Sequence, residues 1–284
     1  MFRKTIIPIE REPGLAGQKN SPLKAIEKKE LTTDRVGVFH VPQGNTTRGV
    51  NAYIVKYLLA HARSRGWKRL LDIPCGNGLF AQTVKMHVGM DVLGADILLD
   101  PKYLSEKFYQ RIDAASPCID QGKHPNFDVV TCISGIMEFG NTSRFLDFCH
   151  ENLADGGGLI VSNDSVQTLQ DRIMFFFLGR TRRQKLLRLQ GENIWNLFPL
   201  GMMIRLLQDS GFKVEGIEYF VGKRRNYWML LPSVFLYPFQ LAYIVFSGFA
   251  EKYNLKGDLK FKMYPFRSMY CTHYVVVCRK SSDI

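Results

Sequence analysis

The sequence predicts an α/β protein, and three observations carry that prediction. The first is Arg69 to Val84, Arg-Leu-Leu-Asp-Ile-Pro-Cys-Gly-Asn-Gly-Leu-Phe-Ala-Gln-Thr-Val, which reads as a buried strand, a tight glycine turn and the start of a helix. The second is a series of short apolar runs at Asp91 to Asp96, Phe127 to Ile133 and Leu159 to Ser162, with a helical segment at Phe145 to Leu153 between the last two. The third is size. With 284 residues, 46% of them hydrophobic, the chain suits one large domain with a full core, or one domain with an insertion.

Residues 1 to about 35 are polar, contain Pro8, Pro13 and Pro22, and show no sustained periodicity. They read as a loosely ordered leader, with Thr5 to Ile9 as a candidate edge strand; the domain runs from 36 to 284. Val36 to Gly49, with Phe39, His40, Pro42 and Gln43, reads as a loop folding over the active site or as a surface connection. Val50, Ile54, Leu58 and Leu59 make Val50 to Arg65 an amphipathic helix beneath the first strand. Leu70, Leu71 and Ile73 form that strand, apolar on both faces. Gly76 and Gly78 permit a sharp turn and close approach of a ligand to the backbone.

Two chemistries use such a turn. A dinucleotide places its pyrophosphate on the helix N-terminus, and Gly76, Gly78 and Ala81 fit the loose Gly-x-Gly-x-x-Ala pattern. Asp72, however, stands at the strand end just before the turn, where it would repel a pyrophosphate. It suits a ligand with a cationic ammonium and no phosphate, such as S-adenosylmethionine.

From Tyr53 to Phe220, and again in a last strand near the C-terminus, the chain resembles the class I S-adenosylmethionine-dependent methyltransferases. Their first motif is Asp/Glu-x-Gly-x-Gly-x-Gly; here Asp72, Pro74, Gly76 and Gly78 occupy those places, with Pro74 replacing the first glycine. The resemblance implies a Rossmann-like seven-stranded sheet, order 3-2-1-4-5-7-6 with the last strand antiparallel, and helices on both faces. It implies S-adenosyl-L-methionine as cofactor, with Asp72, Cys75, Gly76 and Gly78 at its first motif.

The second strand, Asp91 to Asp96, ends in a carboxylate roughly 20 residues beyond the glycine turn, the offset of a ribose-holding acid. The resemblance assigns Asp96 that role, with Ile97 beside it. A third strand is expected at Tyr109 to Ile112, and the following Asp113 and Ala114 match the family's adenine contact. Phe127-Asp-Val-Val matches the family's fourth strand. Ser134 to Phe139 is then the loop beside the transferred methyl, and Ser134 and Glu138 are its expected cofactor contacts. Phe139 replaces the family's usual histidine. Ala154-Asp-Gly-Gly-Gly resembles the family's turn into the fifth strand, and Asn163 and Asp164 follow that strand.

Residues 165–198 read as a helical cap with a basic cluster, Arg180, Arg182, Arg183, Lys185 and Arg188. Pro199 opens the helix Leu200 to Ser210, since its missing N–H costs nothing there. Phe212 to Phe220 is the sixth strand and His273 to Arg279 the last. Between them lies an insertion, about 221–267, where the family normally has a short hairpin. Inside it Asn226 to Ala250 has no charged residue, follows Lys223-Arg224-Arg225, and is long enough to cross a bilayer. Pro232 and Pro238 are expected to interrupt it. The readings are docking on an anionic membrane surface through 223–250 and 180–188, a substrate lid or oligomer contact, or extra core.

The formal net charge of +12 points to nucleic acid, anionic lipid or another acidic partner. Six cysteines without a Cys-x-x-Cys pair, and no signal peptide, suit a reduced cytoplasmic chain, peripheral on the inner face of the membrane if the insertion docks there.

Methyl transfer to an alcohol needs a general base, and no decisive one is visible; His40 and Asp164 are the candidates, so the catalytic residue stays unknown. No cluster has metal-ligand spacing. Asn163-Asp164-Ser165, the cap and the apolar insertion resemble methyltransferases of bacterial surface-polysaccharide and lipid-linked glycan pathways, which implies O-methylation of a sugar or other hydroxyl on a lipid-linked acceptor. The alternative is a small lipophilic acceptor, a quinone or lipid precursor. Nucleic acid is the weaker partner. Ser134-Gly-Ile-Met replaces the Asn/Asp-Pro-Pro-Tyr/Phe of base-amine enzymes, and no RNA-binding module is recognisable. A cofactor-binding scaffold without catalysis is the non-enzymatic alternative.

Overall fold

The computed structural model describes residues 33–97, 101–112, 127–182, 198–222, 224–247 and 258–281. The strands are β1 Thr33–Val36, β2 Phe39–Pro42, β3 Arg69–Asp72, β4 Asp91–Asp96, β5 Tyr109–Arg111, β6 Phe127–Ile133, β7 Leu153–Asp164, β8 Phe212–Phe220 and β9 His273–Lys280. The helices are α1 Val50–Arg65, α2 Leu79–His87, α3 Thr142–Asn152, α4 Leu169–Leu178, α5 Leu200–Asp209, α6 Leu230–Phe246 and α7 Leu259–Met263.

Seven strands form one sheet in the order β5-β4-β3-β6-β7-β9-β8. Neighbours from β5 to β7 run parallel, and β9 is antiparallel to both β7 and β8. This is the seven-stranded arrangement that the family resemblance implied. The apolar run of β3 has a direct cause. Successive side chains of a strand point to opposite faces. Leu70 packs with Ile54 and Leu58 of α1 and Phe80 of α2, while Leu71 shares the other core with Leu146 of α3 and Ile204 of α5. Both faces are covered, so the strand has no polar side.

The structure corrects the sequence reading at four places. Thr33–Val36 belongs to a hairpin with β2 rather than to a loose leader or a plain loop; Gly37, at φ 59°, supplies the turn, and Phe39 stacks on His87 at 4.1 Å. The proposed strand at Thr5 to Ile9 lies outside the described residues. Helix α3 begins three residues earlier than its apolar periodicity suggested, because Asn141 caps it by accepting from the Arg144 backbone N–H at 3.0 Å. Strand β7 begins at Leu153, and the Gly-rich turn is an irregularity within it: the pairing jumps from Phe127↔Leu153 to Val129↔Gly158.

The prolines of the insertion do not break it. Pro232 sits in the first turn of α6, where an N–H has no intrahelical partner, and the helix runs on through Pro238 at the cost of one hydrogen bond. Of the helical cap, the described residues form α4 up to Leu178; 183–197 lie outside them.

Candidate active site

The glycine turn is stitched between its two neighbouring strands. Ile73 N–H donates to Thr131 O of β6 at 2.9 Å, and Cys75 N–H to Ala95 O of β4 at 2.9 Å. The Ile73–Pro74 peptide bond is cis. Gly78 has φ 81°, and a Cβ on it would stand 2.7 Å from Leu104 Cγ, so both conformation and space require glycine. The Cys75 thiol is buried, with burial pushing its ionisation well above the ordinary thiol range, so it packs rather than reacts.

Asp96 closes the turn from β4. Its Oδ2 accepts from Gly76 N–H at 2.7 Å and its Oδ1 from Ile97 N–H at 2.7 Å. The Ile97 side chain is 55% exposed. Asp72 is buried at the strand end and accepts from Thr131 Oγ1 at 2.8 Å. Burial pushes its carboxyl up to about 7, against the opposing Thr131 hydrogen bond and with a further push from the Asp96 charge.

A cleft runs beneath the turn, lined by Asp72, Gly76, Asn77, Thr46, Asn51 and Ile133 among others. Asn51 donates to Pro42 O and Gln43 O, both at 3.0 Å, and its buried Oδ1 has no partner among the described residues. Asp72 and Asn51 thus bring a buried carboxylate and an unfilled acceptor to one cleft, and among the described residues no ion pair neutralises that carboxylate. A cationic ammonium answers both.

Ser134, directly after β6, has φ 57°, a left-handed conformation that a non-glycine residue seldom adopts. Its N–H bonds to Ser162, and its Oγ lies 2.8 Å from Thr46 Oγ1 and 3.3 Å from His273 Nε2. Glu138 lies in the same loop, and partial desolvation first, then the Asp96 charge, raises its carboxyl above the usual range. Asp113 and Ala114 lie outside the described residues.

Of the two candidate bases, His40 is exposed on β2 against Thr33, away from the cleft. Asp164 is buried and faces His273, its Oδ1 3.4 Å from the ring Nδ1. Sequence reasoning passed over His273. Only the pairing of β7 with β9 puts it opposite Asp164, 109 positions away in the chain.

The basic cluster also changes. Arg182 is committed inward: it pairs with buried Asp171 at 3.2 Å and donates to Ser165 O and Thr272 O. It is therefore not part of a free cationic face, while Arg183, Lys185 and Arg188 lie outside the described residues. Apolar exposure, by contrast, is larger than the sequence suggested. Phe175, Phe176, Phe177 and Leu178 at the end of α4 are exposed, as are Leu231, Phe235, Phe239 and Phe246 of α6. Asn226–Phe246 is long and apolar enough to cross a membrane by length and composition, and 17% of its apolar window is buried.

The family described as a methyltransferase domain matches residues 46–217, and the chain belongs to it. Family and sheet order together make it a class I S-adenosylmethionine-dependent methyltransferase, with S-adenosylmethionine as its cofactor. Among curated relatives, the ubiquinone biosynthesis O-methyltransferase of Aliivibrio fischeri is 22% identical over 59% of this chain and 74% of its own length. The enzyme of that name from Acinetobacter baylyi is 20% identical over 65% of this chain and 80% of its own. Among solved structures, a SAM-dependent methyltransferase from Archaeoglobus fulgidus aligns with TM-score 0.47 and 16% identity, over 82% of this chain and 96% of that one.

Proposed function

We propose that this chain transfers the methyl group of S-adenosylmethionine to a hydroxyl of a small lipophilic acceptor, drawn from a membrane surface. In this reading Asp72 and Asn51 receive the ammonium of the cofactor, and Gly76 and Gly78 let its backbone-facing edge come close. The remaining acceptor capacity of Asp96 takes the ribose hydroxyls. Ile97 and Cys75 pack around the nucleoside, with Asp113 and Ala114 as its adenine contacts. Ser134 and Glu138 border the methyl end.

The bound cofactor supplies an activated methyl on a sulfonium; the protein aligns the acceptor and excludes water. A hydroxyl acceptor also needs somewhere for its proton to go.

The observation that carries the acceptor class is the uncharged, exposed helix α6. It starts just beyond β8, whose last residue Phe220 pairs with His273, so it rises from the sheet edge that holds Ser134. On its inner side Gln240 of α6 donates to the Tyr264 backbone O at 3.3 Å. A single crossing by α6 is ruled out by topology, because β8 and β9 on either side of it pair along their length. Lying on one face of a bilayer, with Lys223-Arg224-Arg225 preceding it in the sequence, suits both its composition and the net charge of +12. In this reading the protein works at the cytoplasmic face of the membrane.

Of the two lipophilic acceptors, the names of the curated relatives favour a quinone-class small molecule over the sugar of a lipid-linked glycan. The test is labelling. The protein is incubated with methyl-labelled S-adenosylmethionine and lysate of its host, beside an Asp96→Ala control, and lipid, glycan, RNA and protein are separated. Label in the small-lipid fraction, absent from the control, is expected. Label in glycan would exchange the acceptor, and label in RNA or protein would overturn the reading.

A further inference from the structure

Four polar side chains from four separate segments form a continuous line behind the cleft. Asp164 ends β7, His273 opens β9, Ser134 follows β6, and Thr46 precedes α1. Asp164 Oδ1 lies 3.4 Å from His273 Nδ1, His273 Nε2 lies 3.3 Å from Ser134 Oγ, and Ser134 Oγ lies 2.8 Å from Thr46 Oγ1. His273 is 2% exposed and Asp164 9%. At the other end the line reaches the cofactor cleft, which Thr46 and Ile133 help to line. Burying such a chain is costly unless every member is satisfied, and holding Ser134 at φ 57° adds backbone strain.

We propose that Asp164, His273 and Ser134 are a proton relay that accepts the proton of the acceptor hydroxyl during methyl transfer; this rests on the hydroxyl reading above. A carboxylate can only accept, so the ring hydrogen sits on Nδ1 facing Asp164, and Nε2 keeps its lone pair for Ser134. As the acceptor oxygen forms its bond to the methyl carbon, the carbon–sulfur bond breaks and its electron pair stays on sulfur. The acceptor's proton passes to Ser134 Oγ while that hydroxyl gives its own proton to His273 Nε2. The imidazolium so formed faces Asp164, and it returns the proton to water once product leaves. Ser134 touches the acceptor, whereas His273 and Asp164 act through it.

The other groups around His273 fit this role. From β8 it faces Phe220, which carries no charge. The guanidinium of Arg182 reaches the neighbouring Thr272 O, but it is paired with Asp171, so its charge does not stand unopposed against an imidazolium. Tyr274, next on β9, has its phenol kept protonated by burial. Glu138 is the remaining acid on the loop that carries Ser134.

Two measurements test the relay separately from the choice of acceptor. The first needs no acceptor: nitrogen NMR of the histidine rings in the intact protein, assigned with His273→Gln. The expected result is an Nδ1–H tautomer for His273 that is lost in Asp164→Asn; an Nε2–H tautomer in the wild type overturns the relay. The second uses a lipophilic phenol that the wild type methylates. His273→Gln should bind S-adenosylmethionine as wild type does, and both His273→Gln and Ser134→Ala should lose about 100-fold in kcat, the lower range for general base catalysis. The wild-type fall in kcat toward acid pH should disappear in His273→Gln, and a nitrated phenol, already ionised, should restore its rate. Unchanged kcat and an unchanged acid limb in both variants overturn the relay. Failure of every hydroxyl acceptor with the wild type counts against the proposed acceptor class and leaves the NMR result to decide the relay.

Discussion

Asp96 Oδ2 accepts from Gly76 N–H at 2.7 Å, so the carboxylate ending β4 holds the tip of the glycine turn that follows β3. The same carboxylate holds Ile97 N–H. Both oxygens are aimed by the backbone before any ligand arrives. Asp96→Asn replaces one acceptor oxygen with a donor and removes the charge. A hydrogen bond to a charged group contributes about 1.5–3 kcal/mol, so S-adenosylmethionine affinity should fall roughly 10- to 100-fold by calorimetry. Equal affinity in the variant would show that Asp96 serves the turn alone.

With Asp72 receiving the cofactor ammonium, as proposed, cofactor binding depends on pH. Burial raises its carboxyl to about 7, above its ordinary value. Between that ordinary value and 7 the folded protein holds a proton that the unfolded chain does not, so this group's stabilising contribution is lost as pH rises through 7. An ammonium needs the ionised carboxylate, so binding should release a proton below 7. The affinity for S-adenosylmethionine should weaken about tenfold per pH unit below 7 and level off above it. A flat profile from pH 5 to 8 would remove Asp72 from the ammonium site. Asp72→Asn should raise apo-protein stability at pH 8 by about 1–3 kcal/mol in urea denaturation, the size of a buried group's desolvation penalty, while weakening the cofactor.

Gly135 fixes the position of the methyl-side loop. A Cβ there would collide with the ring of Pro74, which cannot swing aside as a flexible side chain would. Gly135→Ala should cost about 1–3 kcal/mol in urea denaturation, as overpacking does. Because Pro74 lines the cleft and Gly135 packs directly against it, cofactor affinity should fall with it. A variant as stable as wild type would mean that the two loops slide freely.

The apolar helix can be tested without touching the site. Phe235 is 73% exposed and Phe239 74% exposed on α6. Phe235→Glu with Phe239→Glu should leave thermal stability and cofactor binding unchanged and abolish co-sedimentation with anionic vesicles at low salt. Wild-type protein that stays wholly in the supernatant would dismiss the membrane reading.

Much of this architecture was legible in the residues. Strands β4 and β6 read as apolar runs because both faces of the sheet are covered there, while helix α1 and the edge strand β8 are marked by their flanking glycines, Gly49, Gly66 and Gly211. The turn, Asp72 and Asp96 were legible because glycine torsions and strand-end carboxylates are local. The β1–β2 hairpin was not, since its short polar strands alternate weakly. Helix α6 was obscured by proline rules that speak only of local cost. His273 was hidden for a different reason: its partners come from Asp164 and Ser134, and only the register of β9 brings them together. The exposed end of α4 carries Phe175 to Leu178 in a run that reads equally well as core.

The most direct test of the account is release of S-adenosylhomocysteine by the purified protein, given S-adenosylmethionine and a lipophilic phenol in anionic vesicles. The same compound without its hydroxyl serves as the comparison. Release is expected only with the hydroxylated compound, with a sharp loss when the vesicles are replaced by detergent-free buffer. Equal release with both compounds, or release driven instead by a soluble amine or by RNA, would contradict it.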